Sequence, residues 1–322
     1  MSMPALSTLF AFVGPNRFHP RPCVAATITG ETTLARVRNA VKDVAQRVGL
    51  VIGSLVVEAV PGALRVVFAT PDAAIGADLM RYVVAGLAAK HLADEEWDED
   101  GQLWDLQKQR RAAALPLAAL QLLAEAEARG VPGFVHAGWL QLGEGLRGWR
   151  TALADLPGPA EAPFARAASV VPWERLGRVD LVVLVGDALA RAAATALAAR
   201  SGAVLLADAT IETTHALLAD PRLTHAVLLP EPTDLVTRGT AFRRCARSAL
   251  LDLPDVQLPR ADAARALGVP LLLTDPGGRA ALRADIAEIA ALAVYAPCPV
   301  FSAETVEQAV EILAAGAGAS RM

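Results

Sequence analysis

The stretch Val179-Asp-Leu-Val-Val-Leu-Val185 limits the fold more than any other part of the chain. It is apolar at nearly every position, so a strand built from it has to be covered on both faces. A helical pattern follows over 187–200, and a short apolar strand over 203–206. The alternation then continues with a short helix, a strand over 226–229, a strand over 269–273, a helix over 278–292, the short Pro299-Val-Phe301 and a last helix over 303–315. Buried strands alternating with helices predict a doubly wound, mostly parallel, Rossmann-like sheet. Ligands of such sheets sit at the carboxyl ends of the strands. The loops at Gly186, Asp208, 230–239 and 274–278 are therefore where a site is expected.

Upstream, residues 1–156 are expected to form a mixed α/β domain. Val24-Ala-Ala-Thr-Ile28 and Leu64-Arg-Val-Val-Phe68 have strand composition. Residues 73–89 and 116–129 have helical periodicity, and Gly130 stops the second helix. Between the two domains, Pro157, Pro159, Pro163 and Pro172, with Gly158, mark a linker over 157–172. The second domain is expected over 173–322.

Charge and cysteine usage exclude several classes. The net charge is -4, with 16 acidic and 15 basic residues up to Leu156 and 18 and 15 after it. Neither part has the basic excess of a nucleic-acid binder. Three scattered cysteines, Cys23, Cys245 and Cys298, support neither a disulfide framework nor a zinc knuckle. The apolar 5–13 stretch lacks a positive flank, and 181–209 is broken by Asp187, Arg191, Arg200 and Asp208. A cytoplasmic protein without membrane spans is expected. Only three of the 30 basic residues are lysines, at 42, 90 and 108, so the second domain has none.

Three segments are candidates for chemistry. Gly143-Glu-Gly145-Leu-Arg-Gly148 is a literal G-x-G-x-x-G after an expected strand over 134–142, with helical spacing at Leu146, Trp149, Leu153 and Leu156. No second strand follows to supply an acidic ribose ligand, and Glu144 opposes a pyrophosphate. Val185-Gly-Asp-Ala-Leu-Ala-Arg-Ala192 occupies the position of a P-loop but has one glycine and no Lys-Ser/Thr pair. Its Asp187 is expected to cap the following helix. The segment 230–247 offers Glu231 and Asp234 to a magnesium ion, and Arg238, Arg243, Arg244 and Arg247 to an anion or a partner. The acidic run 94–100 lacks the spacing of a calcium loop, and Glu212 with His215 is a lone E-x-x-H.

Taken together, the segments resemble a cyanophycin synthetase, a Mur-ligase-like enzyme, with its middle removed. Val13-Gly-Pro-Asn16 resembles the "RGPN" near the start of that family's N-terminal domain, and Leu64-Arg-Val-Val-Phe68 its "YRVVFEY" strand. The helix before Gly130-Val-Pro132 is similar to the family's "RGIP" helix. Gln141, Leu142, Gly143, Gly145 and Arg150 match the "VQLGYGxxQRRI" that closes the domain, so this turn is expected to mark a domain end. Where the family then begins an ATP-grasp domain, this chain has the proline-rich linker. The family's "VTGTNGKTTT" becomes Val185 to Ala192, keeping Gly186 but placing Asp187 and Arg191 in the degenerate turn. Its "ETARGGILRxGLAFDRC" becomes Glu231 to Cys245, where Glu231, Gly239, Ala241, Phe242, Arg244 and Cys245 match.

The resemblance implies acyl-phosphate chemistry with ATP and magnesium in the parent enzymes. The lost ATP-grasp domain and P-loop lysine imply that this chain has lost it. It is expected to be a non-catalytic accessory or scaffold subunit, partnered by an ATP-grasp or Mur-type ligase or forming a homo-oligomer. No cofactor is expected in that case. The alternatives are an active ATP-dependent amide ligase that uses ATP, magnesium and Glu231, and a small-molecule or nucleotide sensor.

Overall fold

The computed structural model describes residues 2–157 and 170–315. The chain forms two compact units, one of Met1–Ala114 with Thr237–Gly239, the other of Leu115–Val236 with Thr240–Met322. The linker prolines Pro159 and Pro163 lie outside the described residues.

The first unit is an antiparallel sheet of β1 (Ala5–Phe12), β2 (Cys23–Thr29), β3 (Gly53–Val60) and β4 (Ala63–Ala69), in the order β1-β2-β4-β3. The strand segments 24–28 and 64–68 lie within β2 and β4. Helices α1 (Leu34–Val48), α2 (Ala73–Leu92) and α3 (Glu99–Ala113) complete it. The alternate residues Val24, Ala26 and Ile28 pack with Val37, Val41 and Val44 of α1 and with Leu79, Met80 and Val83 of α2. Thr33 caps α1 and left-handed Gly49 ends it. The acidic run serves the start of α3. Asp98 accepts from the Gly101 N–H at 2.9 Å, and Glu99 pairs with Arg47 at 2.6 Å. Asn16 is buried and organises the loop after β1, accepting from the N–H groups of Phe18 and His19 and donating to the Gly14 carbonyl.

The second unit opens with α4 (Leu117–Ala128) and a three-stranded antiparallel sheet of β5 (Gly133–His136), β6 (Trp139–Leu142) and β7 (Trp149–Ala152). The single strand expected over 134–142 is instead a hairpin turning at Ala137-Gly138. The short helix expected after Gly145 is instead β7, whose Trp149 and Arg150 pair with Leu142 and Gln141. Cross-strand pairing of Trp149 and Leu142 outweighs the helical spacing.

The six-stranded sheet follows, all its paired strands parallel. Its elements are β8 (Asp180–Val185), α5 (Ala188–Ser201), β9 (Val204–Ala209), α6 (Ile211–Leu218), β10 (His225–Pro230), α7 (Pro232–Thr237), β11 (Cys245–Leu250), α8 (Arg260–Leu267), α9 (Val269–Leu272), β12 (Thr274–Leu282), α10 (Ala287–Ala290), β13 (Val300–Ser302) and α11 (Val306–Ala314). The strand order is β13-β12-β11-β8-β10-β9. In β8, Leu181, Val183 and Val185 face one apolar layer with Leu218 and Leu267, while Val182 and Leu184 face another with Ala190, Leu197 and Leu313. Helices therefore cover both faces, as the apolar run requires.

Two expected elements are replaced. Residues 269–272 form a helix rather than a strand, with Pro270 in its first turn, where the missing N–H is harmless. Residues 278–282 belong to β12 rather than to a helix, and the helical part of 278–292 shrinks to α10. Pro276, Gly277 and Gly278 hide this strand from a propensity reading.

The three-stranded sheet is joined to the parallel layer by the glycine turn. The Glu144 N–H donates to the Gly177 carbonyl at 2.9 Å, and the Leu146 N–H to the Leu223 carbonyl at 2.8 Å. Gly145 has φ +54°, and a Cβ there would lie 2.2 Å from the Leu223 carbonyl oxygen. The turn therefore does not end a domain: it joins β6 to β7 inside the small sheet and fastens that sheet to the strand layer. This is why residues 115–156 group with the second unit and not with the residues before them.

Gly145→Ala is expected to lower stability by more than about 1 kcal/mol, since it adds both strain and a backbone clash. Urea denaturation measures this, and an unchanged midpoint would contradict the joint.

Candidate functional site

The topology places one switch point in the parallel sheet. After β8 the chain builds β9 and β10 on one side, then crosses to build β11 on the other side of β8. The crevice beyond the carboxyl ends of β8 and β11 is where such a sheet takes a ligand. Gly186 and Asp187 follow β8 here, and Asp252 follows β11 at Leu251.

The helix that starts in this crevice is α5. Its first N–H groups have no partners within the helix and favour an anion. In a P-loop they would face phosphate. Here the chain places a carboxylate of its own, since Asp252 lies beside Gly186 and the Asp187 and Leu189 N–H groups favour its charged form. Asp187 holds the N-cap position expected of it, but its side chain makes no capping bond. Gly186, at φ +142°, allows this approach; a Cβ there would lie 2.9 Å from the Asp252 nitrogen. Burial raises the Asp252 carboxyl above the usual aspartate range, against the opposing pull of Arg283. Arg283 follows β12 and lies 3.5 Å from Asp252, while its fork is bidentate on Asp285 at 2.7 and 2.6 Å.

The remaining expected residues divide between the two edges of the sheet. Arg191, in the first turn of α5, reaches sideways to Asp208 at 2.6 Å. The Glu231 carboxylate accepts from the Asp234 N–H at 2.7 Å at the start of α7. Asp234 accepts from the Ile211 N–H at 3.0 Å at the start of α6. Both expected magnesium ligands are thus engaged with backbone N–H groups, and among the described residues no group of three His, Cys, Asp or Glu side chains is placed to hold a metal.

The four arginines do not share one surface. Arg238 belongs to the first unit, where its carbonyl accepts from the Val13 N–H at 3.0 Å. Arg243 and Arg244 lead into β11 and are exposed, with Arg243 3.7 Å from Glu127. Arg247 lies inside β11 and is 8% exposed; it pairs with Asp180 at the amino end of β8 and donates to the Leu313 carbonyl at 2.8 Å. The segment leaves the carboxyl edge at β10 and returns to the amino edge at β11. A sequence window cannot show that crossing.

Gly143 and Gly145 stand in the joint described above, and Arg150 stacks over the Trp139 ring at 5.3 Å. His215 stacks on Phe134 at 4.4 Å, with Nε2 3.1 Å from the Ala241 carbonyl oxygen. Burial pushes the Cys23 thiol up to about 11 and that of Cys245 to about 12, so neither is a thiolate at neutral pH.

The sequence reading missed Asp252, Arg283 and Asp285. A usable signal was present, since Asp252 and Arg283 each directly follow an apolar strand end. What it lacked was the strand order that brings them beside Gly186.

Asp252→Ala is expected to cost about 1 kcal/mol, because it removes a negative charge from beside the α5 N-terminus. Asp187→Ala should cost less than about 0.5 kcal/mol. Urea titration of both variants checks the order, and the reverse order would contradict this placement of the charge. Arg247→Ala is expected to cost about 1–2 kcal/mol by removing the buried donor to the Leu313 carbonyl, the half-exposed Asp180 adding little. Arg244→Ala should stay within about 0.5 kcal/mol, as a surface change.

No curated protein matches the chain. One family model matches residues 5–302, covering both units, and its description is a domain of unknown function, DUF4938. The chain belongs to the DUF4938 family.

Proposed function

We propose that the protein is a non-catalytic, Mur-ligase-like accessory or scaffold subunit. It serves a separate ligase that builds amino-acid chains or a polyglutamylated product. The observation that carries this reading is the Asp252 carboxylate at the N-terminus of α5. A nucleotide phosphate would have to displace it, and two like charges in one low-dielectric crevice repel. The sequence supports the same reading, because no lysine occurs after Lys108 to neutralise a transferring phosphoryl group. Arg191 and Arg283 are the nearby cations, and each is paired to an aspartate of the chain. The link to amino-acid ligases rests on the motif resemblance at residues 13–16, 64–68, 141–150 and 231–245.

ATP turnover in the presence of magnesium and amino acids tests the non-catalytic part. The expected result is no ADP above the protein-free control. Turnover abolished by Glu231→Ala would contradict the proposal. Affinity capture of the tagged full chain in its own cells, with mass spectrometry of the retained proteins, tests the partner. A carbon–nitrogen ligase of the ATP-grasp or Mur type is expected. Recovery of the chain alone would contradict an accessory role.

A further inference from the structure

The glycine turn contains a carboxyl group that the proposed function does not use. Glu144 is 2% exposed, between Gly143 and Gly145. Its Oε2 accepts from the Val179 N–H at 3.1 Å, one residue before β8 begins. Its own N–H donates to Gly177 at 2.9 Å, and the Gly177 N–H donates to the Arg147 carbonyl at 3.0 Å. The side chain thus lies in the middle of the joint that fastens β5–β7 to the parallel layer, with the Leu146–Leu223 bond on its other flank.

We propose that Glu144 makes this joint a proton-operated clasp, tight when the carboxyl is protonated and looser when it is ionised. The geometry favours the neutral form for three reasons. The side chain is buried, and an isolated carboxylate is costly there. The Val179 N–H is a neutral donor, and a protonated carboxyl still accepts from it through the carbonyl oxygen. The cations nearby are engaged or displaced. Arg178 pairs with Asp275 at 2.8 Å, and the Arg147 guanidinium lies against Gly177. In the turn that supplies the Leu223 carbonyl, Asp220 and Arg222 pair with each other at 3.2 Å.

Burial pushes the Glu144 carboxyl up to about 7, opposed by the Val179 hydrogen bond and by the charge of Arg178. A carboxyl with a raised pKa in the folded state binds its proton more tightly there than in the open state. Its contribution is fully present below the ordinary glutamate value of 4.5 and is lost as the pH rises through about 7. The joint is therefore strongest in mild acid and weakest in mild alkali.

Native-state hydrogen exchange on the full chain reads the clasp at the Val179 and Leu146 amides. Protection, corrected for intrinsic rate, is expected to fall about tenfold or more between pH 5 and pH 8 in the wild type. Glu144→Gln keeps an acceptor for Val179 and cannot ionise, so its protection profile is expected to be flat. A wild-type profile as flat as that of the variant would overturn the proposal, and so would an equal fall in both. Carbon-13 NMR titration of the wild-type Glu144 carboxyl gives a second readout that needs no variant. A midpoint between about 6 and 8 is expected, and an ordinary glutamate midpoint would overturn the clasp.

Discussion

The second unit is organised around the approach of the Asp252 carboxylate to the first turn of α5. That contact closes the switch point of the parallel sheet from within. It places a negative charge beside the first N–H groups of α5, where a P-loop holds phosphate. Gly186 leaves room for it, and Arg283, itself clamped by Asp285, balances it.

The other electrostatic contacts of the unit point the same way. Arg191, Arg247, Glu231 and Asp234 are all engaged within the chain, on partners in neighbouring strands or helices. A catalytic phosphoryl site keeps its cations oriented toward an absent substrate. Here they are oriented toward aspartates and carbonyls of the fold. These contacts support the proposed accessory role.

Much of the architecture was legible locally. The apolar run at 179–185 implied a strand covered on both faces, and the two apolar layers flanking β8 are that requirement met. Residues 24–28 and 64–68 carry enough β-branched and aromatic side chains to mark β2 and β4, and 187–200 has the period of α5. Where local signals failed, a tertiary constraint had taken over. β12 tolerates Pro276 and Gly277, and its Gly278 is pressed against the Ala246 carbonyl, where a Cβ would lie 2.0 Å away. Val269 to Leu272 have strand-like composition but follow α8 as a short helix. The candidate site was legible only in part. Asp187 was placed correctly at the helix start, yet its side chain makes no capping bond, and the carboxylate beside that helix end is Asp252, 65 residues later and brought in by the crossing of the chain from one side of β8 to the other. The arginines of 238–247 looked like one surface because sequence distance is short, but the chain passes from one sheet edge to the other between them.

The most direct test of the self-filled switch point is equilibrium binding of Mg-ATP to the wild-type chain and to Asp252→Ala by isothermal titration calorimetry at neutral pH. The account predicts no saturable binding to the wild type at up to about 1 mM nucleotide, a ceiling of roughly -4 kcal/mol. It predicts measurable binding to Asp252→Ala, in which the negative charge beside the α5 N–H groups is gone. Micromolar affinity in the wild type, unchanged or lowered by the substitution, would contradict it.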